Sequence, residues 1–342
     1  MIKMQFNDCI KGTVAPYTAE IEKLSSGESL EMHDPVVKDR SHISFTCDIK
    51  SLDDDAMIAV GRGYMYTSGC WVEITKTHIR AFTYFYYTDP QLRVLEPQAE
   101  HGLEIKDFLT IVIDEDKKNG RFIVLTTATG SLKILCPGFS ACDGKIFAKV
   151  QGCELENCRL NWLYDGFAFP IWVYGDSYLG YGSPSRWPYY LYRDGYDKVM
   201  LSGYPGMNTQ RGLVDFKLSL ERGTPVYAVW CLGMNNNDPS VDEPEPKWLE
   251  ATKEFLEICK EKGIVPILST IPCVPNRINE AKNAWVRASG YRYIDFNRAV
   301  GADKSKEWYP GMLCPDRVHP AENGAAALYS QVLIDFPEIM KR

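Results

Sequence analysis

The sequence predicts two successive domains: an antiparallel β-sandwich over residues 1–166 and an α/β domain over residues 167–342. Three observations lead to this division. The chain has 342 residues, which is too long for one small domain and suits two of ordinary size. Its first half has the periodicity of strands with little helix between them. Its second half alternates short apolar strands with amphipathic helices.

The first half, from residue 42 to about 150, carries the pattern of antiparallel strands. Residues 42–49 alternate polar and apolar side chains, as a strand with one wet face should. Further strand candidates are 71–75, 78–87, 109–114 and 121–127. The last two flank Asn119-Gly120, which is a strong hairpin signal. Strands at this spacing predict an antiparallel sandwich, jelly-roll-like in type.

The second half reads as strands that alternate with helices. The strand candidates are 171–174, 198–201, 226–230, 265–268 and 293–296. The helix candidates are 209–222, 245–262, 276–289 and 321–336. This alternation predicts a parallel sheet covered on both faces. Functional sites of such sheets lie at the carboxyl ends of the strands.

Composition and net charge indicate whether the protein binds nucleic acid or spans a membrane. The net charge of -7 argues against nucleic acid, because phosphate binding needs a basic face. No run approaches the ~18 apolar residues of a membrane span, and the start lacks a signal-peptide core. We therefore expect a cytoplasmic protein, although a chain trimmed of its leader would read the same way.

The eleven cysteines are expected to be reduced and mostly buried. Their one cluster comprises Cys136, Cys142, Cys153 and Cys158. It lacks the close C-x2-C pairing typical of zinc sites, so we expect no metal there.

Histidine is scarce, and only His319 of the five lies in the α/β half. It is therefore the sole histidine candidate there for acid–base chemistry near neutral pH. Asp316 stands three residues earlier and can orient the imidazole by accepting from one ring nitrogen. A capping aspartate and a surface histidine would explain the same residues equally well.

Candidate partners for His319 follow three of the predicted strands. The first strand runs into a Gly-Asp-Ser turn that ends at Ser177. Gly206 follows the second strand and can present a bare N–H to an oxyanion. Asn235 follows the third strand and can donate from its amide to the same oxygen. Gly-Asp-Ser alone is usually just a turn, but four elements in this order indicate an acyl-transfer site.

This order resembles that of the SGNH, or GDSL-type, hydrolases. Gly175-Asp-Ser177-Tyr178 looks like their nucleophile block, Gly206 falls at the family glycine, and Gly233-Met-Asn235 matches the asparagine block. Asp316-Arg-Val-His319-Pro resembles the closing D-x-x-H-P block, which is the most specific part of the match. The resemblance covers about residues 170–340.

The resemblance implies a flavodoxin-like, three-layer domain and a serine esterase mechanism. Ser177 would attack, His319 would act as general base and then acid, and Asp316 would orient it. The oxyanion hole would combine the N–H groups of Ser177 and Gly206 with the Asn235 side chain. Neither a cofactor nor a metal is expected.

One departure from the family pattern concerns the loop that carries the asparagine. The family usually reads G-x-N-D, whereas Asn236 follows Asn235 here. Placing Asn237-Asp238 in the block instead would lose the leading glycine, so we prefer Asn235. The substitution affects the expected loop geometry more than the chemistry.

Aromatic residues around the nucleophile suggest a carbohydrate ester as substrate. Tyr178, Trp187 and Trp230 can offer ring faces to a sugar, and Arg186 can hold a polar or acidic group. Trp187, with the tyrosines at 189 and 190, fits the buried face of a helix equally well. A sandwich before such a domain resembles certain carbohydrate esterases, where it can bind glycan or simply pack; we expect packing.

The function predicted from the sequence is hydrolysis of small acyl esters, acetyl esters above all, on a small-molecule or carbohydrate alcohol. Two alternatives stay open: a lipid or thioester acyl hydrolase with the same triad, and a non-catalytic glycan-binding protein that retains the fold. The sequence does not fix the oligomeric state.

Overall fold

The computed structural model describes residues 17–34, 40–64, 68–84, 99–102, 104–116, 120–136, 144–164, 166–179, 184–196, 198–203, 205–302 and 307–340. The chain divides into two compact units, Met1–Tyr164 and Asp165–Arg342. Each unit has its own kind of sheet, antiparallel in the first and parallel in the second. A general α/β architecture with separate antiparallel and parallel parts is therefore confirmed.

The described strands of the first unit form one ten-stranded sheet. They are β1 (Tyr17–Leu24), β2 (Ser29–Asp34), β3 (Arg40–Tyr64), β4 (Ser68–Thr75), β5 (His78–Tyr84), β6 (Ala99–Gly102), β7 (Phe108–Asp116), β8 (Gly120–Thr127), β9 (Gly130–Cys136) and β10 (Gly144–Leu163).

Two long strands, β3 and β10, pair with each other and connect two groups of shorter strands. The N-terminal part of β3 pairs with β7 and its C-terminal part pairs with β4. The N-terminal part of β10 pairs with β2 and its C-terminal part with β1. Register shifts interrupt the β3–β10 ladder between residues 151 and 159. Such bulges bend a strand and let it leave one sheet for another.

Burial differs between the two ends of β3. Ile43, Phe45 and Cys47 are buried and alternate with more exposed neighbours, so this end has one wet face. Residues 58–62 are buried at successive positions, so both faces of the other end are covered. There Trp71 stacks on Phe82 with ring centroids 5.2 Å apart.

The sequence prediction for this unit was incomplete. It started the strands at residue 42 and assigned no strand to β1, β2, β6, β9 or β10. It also ended the first strand at residue 49, whereas β3 continues to Tyr64. Residues 85–87 of the predicted 78–87 strand, and Asn119 of the predicted hairpin turn, lie outside the described residues.

The second unit contains a five-stranded parallel sheet in the order β12-β11-β13-β14-β15. Its strands are β11 (Ile171–Gly175), β12 (Val199–Gly203), β13 (Tyr227–Cys231), β14 (Val265–Ser269) and β15 (Tyr293–Ile294). Its helices are α1 (Trp187–Arg193), α2 (Thr209–Leu220), α3 (Pro246–Lys262), α4 (Glu280–Ala288), α5 (Phe296–Ala299) and α6 (Glu322–Asp335). The predicted last strand, 293–296, was too long because Phe296 already begins α5.

Helices cover this sheet on both faces. Successive residues of a strand point to opposite sides of the sheet, so each face has its own packing partners. On one side Tyr174 packs edge-on against Phe216 of α2, and Trp230 stacks on Phe255 of α3. On the other side Val173 shares a core cluster with residues of α1 and α6. The end of α3 is set by Gly263, whose φ of 68° is the left-handed conformation of a helix C-cap.

Two further features bear on the sequence expectations. Within the described ranges, no helix has the length and apolar character needed to cross a membrane.

Cys153 and Cys158 are buried free thiols, and burial raises their pKa values to about 11 and about 12. Both therefore stay protonated at neutral pH and pack as small apolar groups. The Cys142 residue and the Cys136 side chain lie outside the described part.

Candidate active site

Ser177 stands at the carboxyl end of β11, the second strand in sheet order. All five residues of β11 are buried, and a short 3-10 turn, Ser177–Leu179, follows directly. Asp176 closes this turn: its Oδ1 accepts from the N–H of Tyr178 at 3.0 Å, and its carbonyl accepts from Leu179 at 2.9 Å. The turn thus reverses the chain just above the sheet and holds the serine at its edge.

A tight loop before α6 carries His319. The N–H of Cys314 donates to the carbonyl of His319 at 2.8 Å and closes the loop. Arg317 lies inside it with a φ of 60°, a left-handed conformation that is unfavourable for a residue with a side chain. Because the chain turns back there, Asp316 Oδ1 accepts the N–H groups of both Val318 and His319 at 2.9 Å.

The loop brings three predicted residues into one hydrogen-bonded chain. His319 Nε2 is 2.9 Å from Ser177 Oγ, and His319 Nδ1 is 2.7 Å from Asp316 Oδ2. Partial burial of Asp316 opposes ionisation, but its bonds to the two N–H groups and to the His319 ring prevail and lower its pKa. An ionised Asp316 fixes the proton of the neutral imidazole on Nδ1 and leaves Nε2 free to accept from the serine hydroxyl.

Tyr178 connects the serine turn to the histidine loop. Its hydroxyl donates to the carbonyl of Val318 at 2.6 Å, and its ring centroid is 6.1 Å from that of His319. The side chain is only 7% exposed. These contacts join Tyr178 to the loop that carries His319, and its predicted role as a substrate contact stays a prediction.

Gly206 and Asn235 follow the two strands that flank β11. Gly175, at the end of β11, pairs with Gly203 of β12 and Cys231 of β13, so the segments after them leave the same edge of the sheet. Gly206 has a φ of 85°, which glycine adopts freely. Asn235 Nδ2 donates to the carbonyl of Met207 at 3.0 Å, which places this amide beside the Gly206 loop.

The N–H groups of Ser177 and Gly206 have no acceptor among the described residues. Asn235 also keeps one amide N–H that donates to no atom there. Free N–H donors at one strand edge, next to a serine hydroxyl, are what an oxyanion needs.

The next two residues of the asparagine loop have different roles. The buried Asn236 accepts from the N–H and hydroxyl of Thr209 and donates to Gln210 and Glu245. Asn237 is exposed, and its Oδ1 accepts from the N–H of Ile278 at 2.9 Å. Asn236 therefore fastens the loop to the start of α2, while Asn237 points to a different neighbour from Asn235.

Asp176 is a buried carboxyl group directly before the serine. Burial raises its pKa to about 6, and the Tyr178 N–H, Arg277 and Arg186 oppose that rise. Arg277 comes from the segment before α4 and binds Met234 and Asn235. Sequence reasoning missed Arg277 because no residue pattern links it to the strand ends.

The predicted aromatic contacts with substrate are wrong for Trp187 and Trp230. Both are only 1% exposed, because each fills a core layer between the sheet and its helices. Trp230 also donates from Nε1 to Thr252 at 3.3 Å. Arg186 is half-buried at the start of α1, and its charge interacts with those of Asp316 and Asp176. Its role as a substrate contact stays a prediction.

No protein-family model and no curated protein matches this chain. Among solved structures it is similar to a GDSL-like lipase from Bacteroides thetaiotaomicron, with 16% identity over 50% of this chain and 88% of that one, and a TM-score of 0.39. It is similar to a psychrotrophic esterase from a Pseudoalteromonas species, with 16% identity, coverage of 49% and 96%, and a TM-score of 0.38. A Bacillus subtilis protein matches 92% of this chain and 81% of its own, with 16% identity and a TM-score of 0.41.

At these identities and TM-scores, the function of this chain has to follow from the residues of the site itself.

Proposed function

We propose that this protein is a serine esterase that hydrolyses small acyl esters. One observation carries the proposal: the hydrogen-bonded chain from Ser177 Oγ through His319 to Asp316, with distances of 2.9 and 2.7 Å. A hydroxyl, an imidazole and a carboxylate in this order form the arrangement that activates serine as a nucleophile.

The proposed reaction proceeds in two halves. His319 Nε2 takes the proton of Ser177 as Oγ attacks the acyl carbon. The oxyanion is bound by the N–H groups of Ser177 and Gly206 and by the Asn235 amide. The intermediate then collapses and expels the alcohol, which receives its proton from His319. Water, deprotonated by the same imidazole, then attacks the acyl carbon of the acyl-serine. The bond to Ser177 Oγ breaks, His319 returns the proton to Oγ, and the acid is released.

The polar surroundings of Ser177 support a small acyl group. The Asp176 carboxyl directly precedes the serine, and the charges of Arg277 and Arg186 act on it. A long acyl chain would gain little by burial against such polar groups. Trp187 and Trp230 lie in the core, so they no longer argue for a sugar as the alcohol part of the ester. We therefore propose a small acyl group and the serine mechanism, and acetylated sugars are tested together with other esters.

For the fold we infer a flavodoxin-like, three-layer domain over residues 167–342. The sheet order β12-β11-β13-β14-β15 supports it, since this is the order 2-1-3-4-5 of that fold. For residues 1–166 we infer a jelly-roll-like sandwich. Its support is that β3 and β10, with bulges between their halves, each take part in both groups of strands.

The test is hydrolysis of p-nitrophenyl esters from acetyl to long-chain acyl, with acetylated sugars beside them. Ser177→Ala should lower kcat by about 10^3-fold or more, because triad members act as a unit. Short acyl groups should be turned over faster than chains of about eight carbons, because the sequence has no long apolar stretch beside Ser177 that would bury the extra apolar area.

Ser330→Ala is the matched control, since this exposed serine on α6 donates to the Ala326 carbonyl of its own helix. It should behave as wild type. Near-normal turnover by a folded Ser177→Ala enzyme would refute the esterase mechanism. A rate that climbs steadily with chain length would favour the lipid hydrolase instead.

A further inference from the structure

The loop that carries Asn235 is held by two cationic side chains from one short segment. Lys282 Nζ donates to the carbonyl of Gly233 at 3.1 Å and also to that of Asn236. Arg277 Nη1 donates to the carbonyl of Met234 and, at 3.0 Å, to Asn235 Oδ1. The cations thus bind carbonyls on both sides of Asn235, and Arg277 alone reaches its side chain.

The contact between Arg277 and Asn235 decides which end of the amide faces which neighbour. Arginine has only donors, so it can bind the amide oxygen and not the nitrogen. On the other side, the Met207 carbonyl only accepts, and it receives the Nδ2 proton at 3.0 Å. Turning the amide over would place donor against donor and acceptor against acceptor. Both contacts therefore select the same orientation.

This orientation matters for an oxyanion. With Oδ1 held by Arg277, the second Nδ2 proton is available to a developing negative charge. In the reversed orientation a carbonyl oxygen would face that charge and repel it. A charged donor on Oδ1 also draws electron density from the amide, which makes its N–H groups better donors.

We propose that Arg277 is a positioning residue that orients and polarises the Asn235 amide for the oxyanion. This inference rests on the proposed esterase function. The role of Arg277 is exerted through Asn235, so its loss should matter only where the asparagine side chain is present.

A double-mutant cycle with p-nitrophenyl acetate tests this dependence. Asn235→Ala should lower kcat by about 10^2–10^3-fold with KM little changed, as for loss of one oxyanion donor. Arg277→Met should lower kcat by about 10-fold or more, again with KM little changed. In the Asn235→Ala background, Arg277→Met should cost less than about 3-fold, because residues that act as a unit are non-additive.

Conservative and remote variants complete the cycle. Arg277→Lys keeps a charged donor and should recover part of the kcat that Arg277→Met loses. Asn237→Ala and Arg298→Met change the neighbouring asparagine and an exposed arginine of α5, and both should turn over as wild type. Thermal unfolding of each variant separates loss of fold from loss of rate. If Arg277→Met does not fold, the same cycle is run with Arg277→Lys, whose smaller loss should also vanish without Asn235.

The outcomes separate this inference from the proposed function. Equal losses from the Arg277 change with and without Asn235 would overturn the positioning role. A rise in KM at unchanged kcat would overturn it too, since it would make Arg277 a direct substrate contact. In both cases Ser177→Ala would still abolish turnover and the esterase proposal would stand. An active Ser177→Ala enzyme would instead remove the esterase proposal itself.

Discussion

Asp176 combines burial and charge in a way that makes stability depend on pH. Its side chain is 2% exposed, and burial raises its pKa to about 6, whereas an unfolded aspartate titrates near ~3.9. The native state therefore holds this proton more tightly than the unfolded state. The resulting stabilisation is complete below the unfolded pKa and is lost as the pH rises through about 6.

Asp176→Asn should remove this loss. The asparagine oxygen can still accept from the Tyr178 N–H, but it has no charge to desolvate. Between about pH 4 and 7 the wild type should lose roughly 2–3 kcal/mol of unfolding free energy relative to the variant. Urea unfolding of both proteins across this range gives the difference. A difference that stays flat, or falls in the opposite direction, would show that Asp176 ionises normally in the folded protein.

At the scale of elements, α4 stabilises the loop after β13 through a buried ion pair. Lys282 Nζ is 3.2 Å from Asp238 Oδ1, and both side chains are fully buried. Burial lowers the pKa of Lys282, while the charge of Asp238 and its hydrogen bond oppose that change. Asp238 also accepts the N–H groups of Glu245 and Lys282, so the pair joins the loop to the starts of α3 and α4.

Lys282→Met should lower the free energy of unfolding by about 3–5 kcal/mol, because it leaves the Asp238 carboxylate buried without its cation. Adding Asp238→Asn should recover part of that loss, since the remaining charge is then removed. Lys253→Met, at an exposed position on α3, should stay within about 0.5 kcal/mol of wild type. Denaturant unfolding of the four proteins measures these values. A double variant less stable than Lys282→Met alone would contradict this explanation.

Local sequence patterns predicted some elements well and others poorly, for physical reasons. Strands β11 to β14 are short apolar runs between amphipathic helices, and each was placed within one or two residues. Strand β3 was cut short because residues 50–55 are polar and acidic and read as a loop. They remain in the strand because β10 pairs with Ser51, Leu52 and the residues on either side of the segment, and bulges absorb the irregularity. The pairing residues of β10 lie far away in the sequence, so local pattern does not reveal them.

At the scale of the whole molecule, topology brings the distant residues of the site together. Ser177, Gly206 and Asn235 follow adjacent strands of one parallel sheet, so each needs only a short loop to reach the shared edge. This rule can be applied to the sequence alone, once its strands have been predicted.

Trp230 was wrongly predicted as a sugar contact because burial depends on which face of the sheet a residue takes. Trp187 was wrongly predicted because it lies on the face of α1 that packs in the core. Arg277 and Lys282 were missed because their partners are mainly backbone carbonyls, which no sequence motif records.

The central claim is that Ser177 is a nucleophile activated by His319, and trapping the acyl-enzyme tests it most directly. The wild type is mixed with p-nitrophenyl acetate, quenched in acid during turnover and mapped by peptide mass spectrometry. One acetyl group should be found on the peptide containing Ser177, and none on that peptide in Ser177→Ala. Turnover with the acetyl group on another residue, or equal labelling of Ser177 in a His319→Ala enzyme, would contradict the claim.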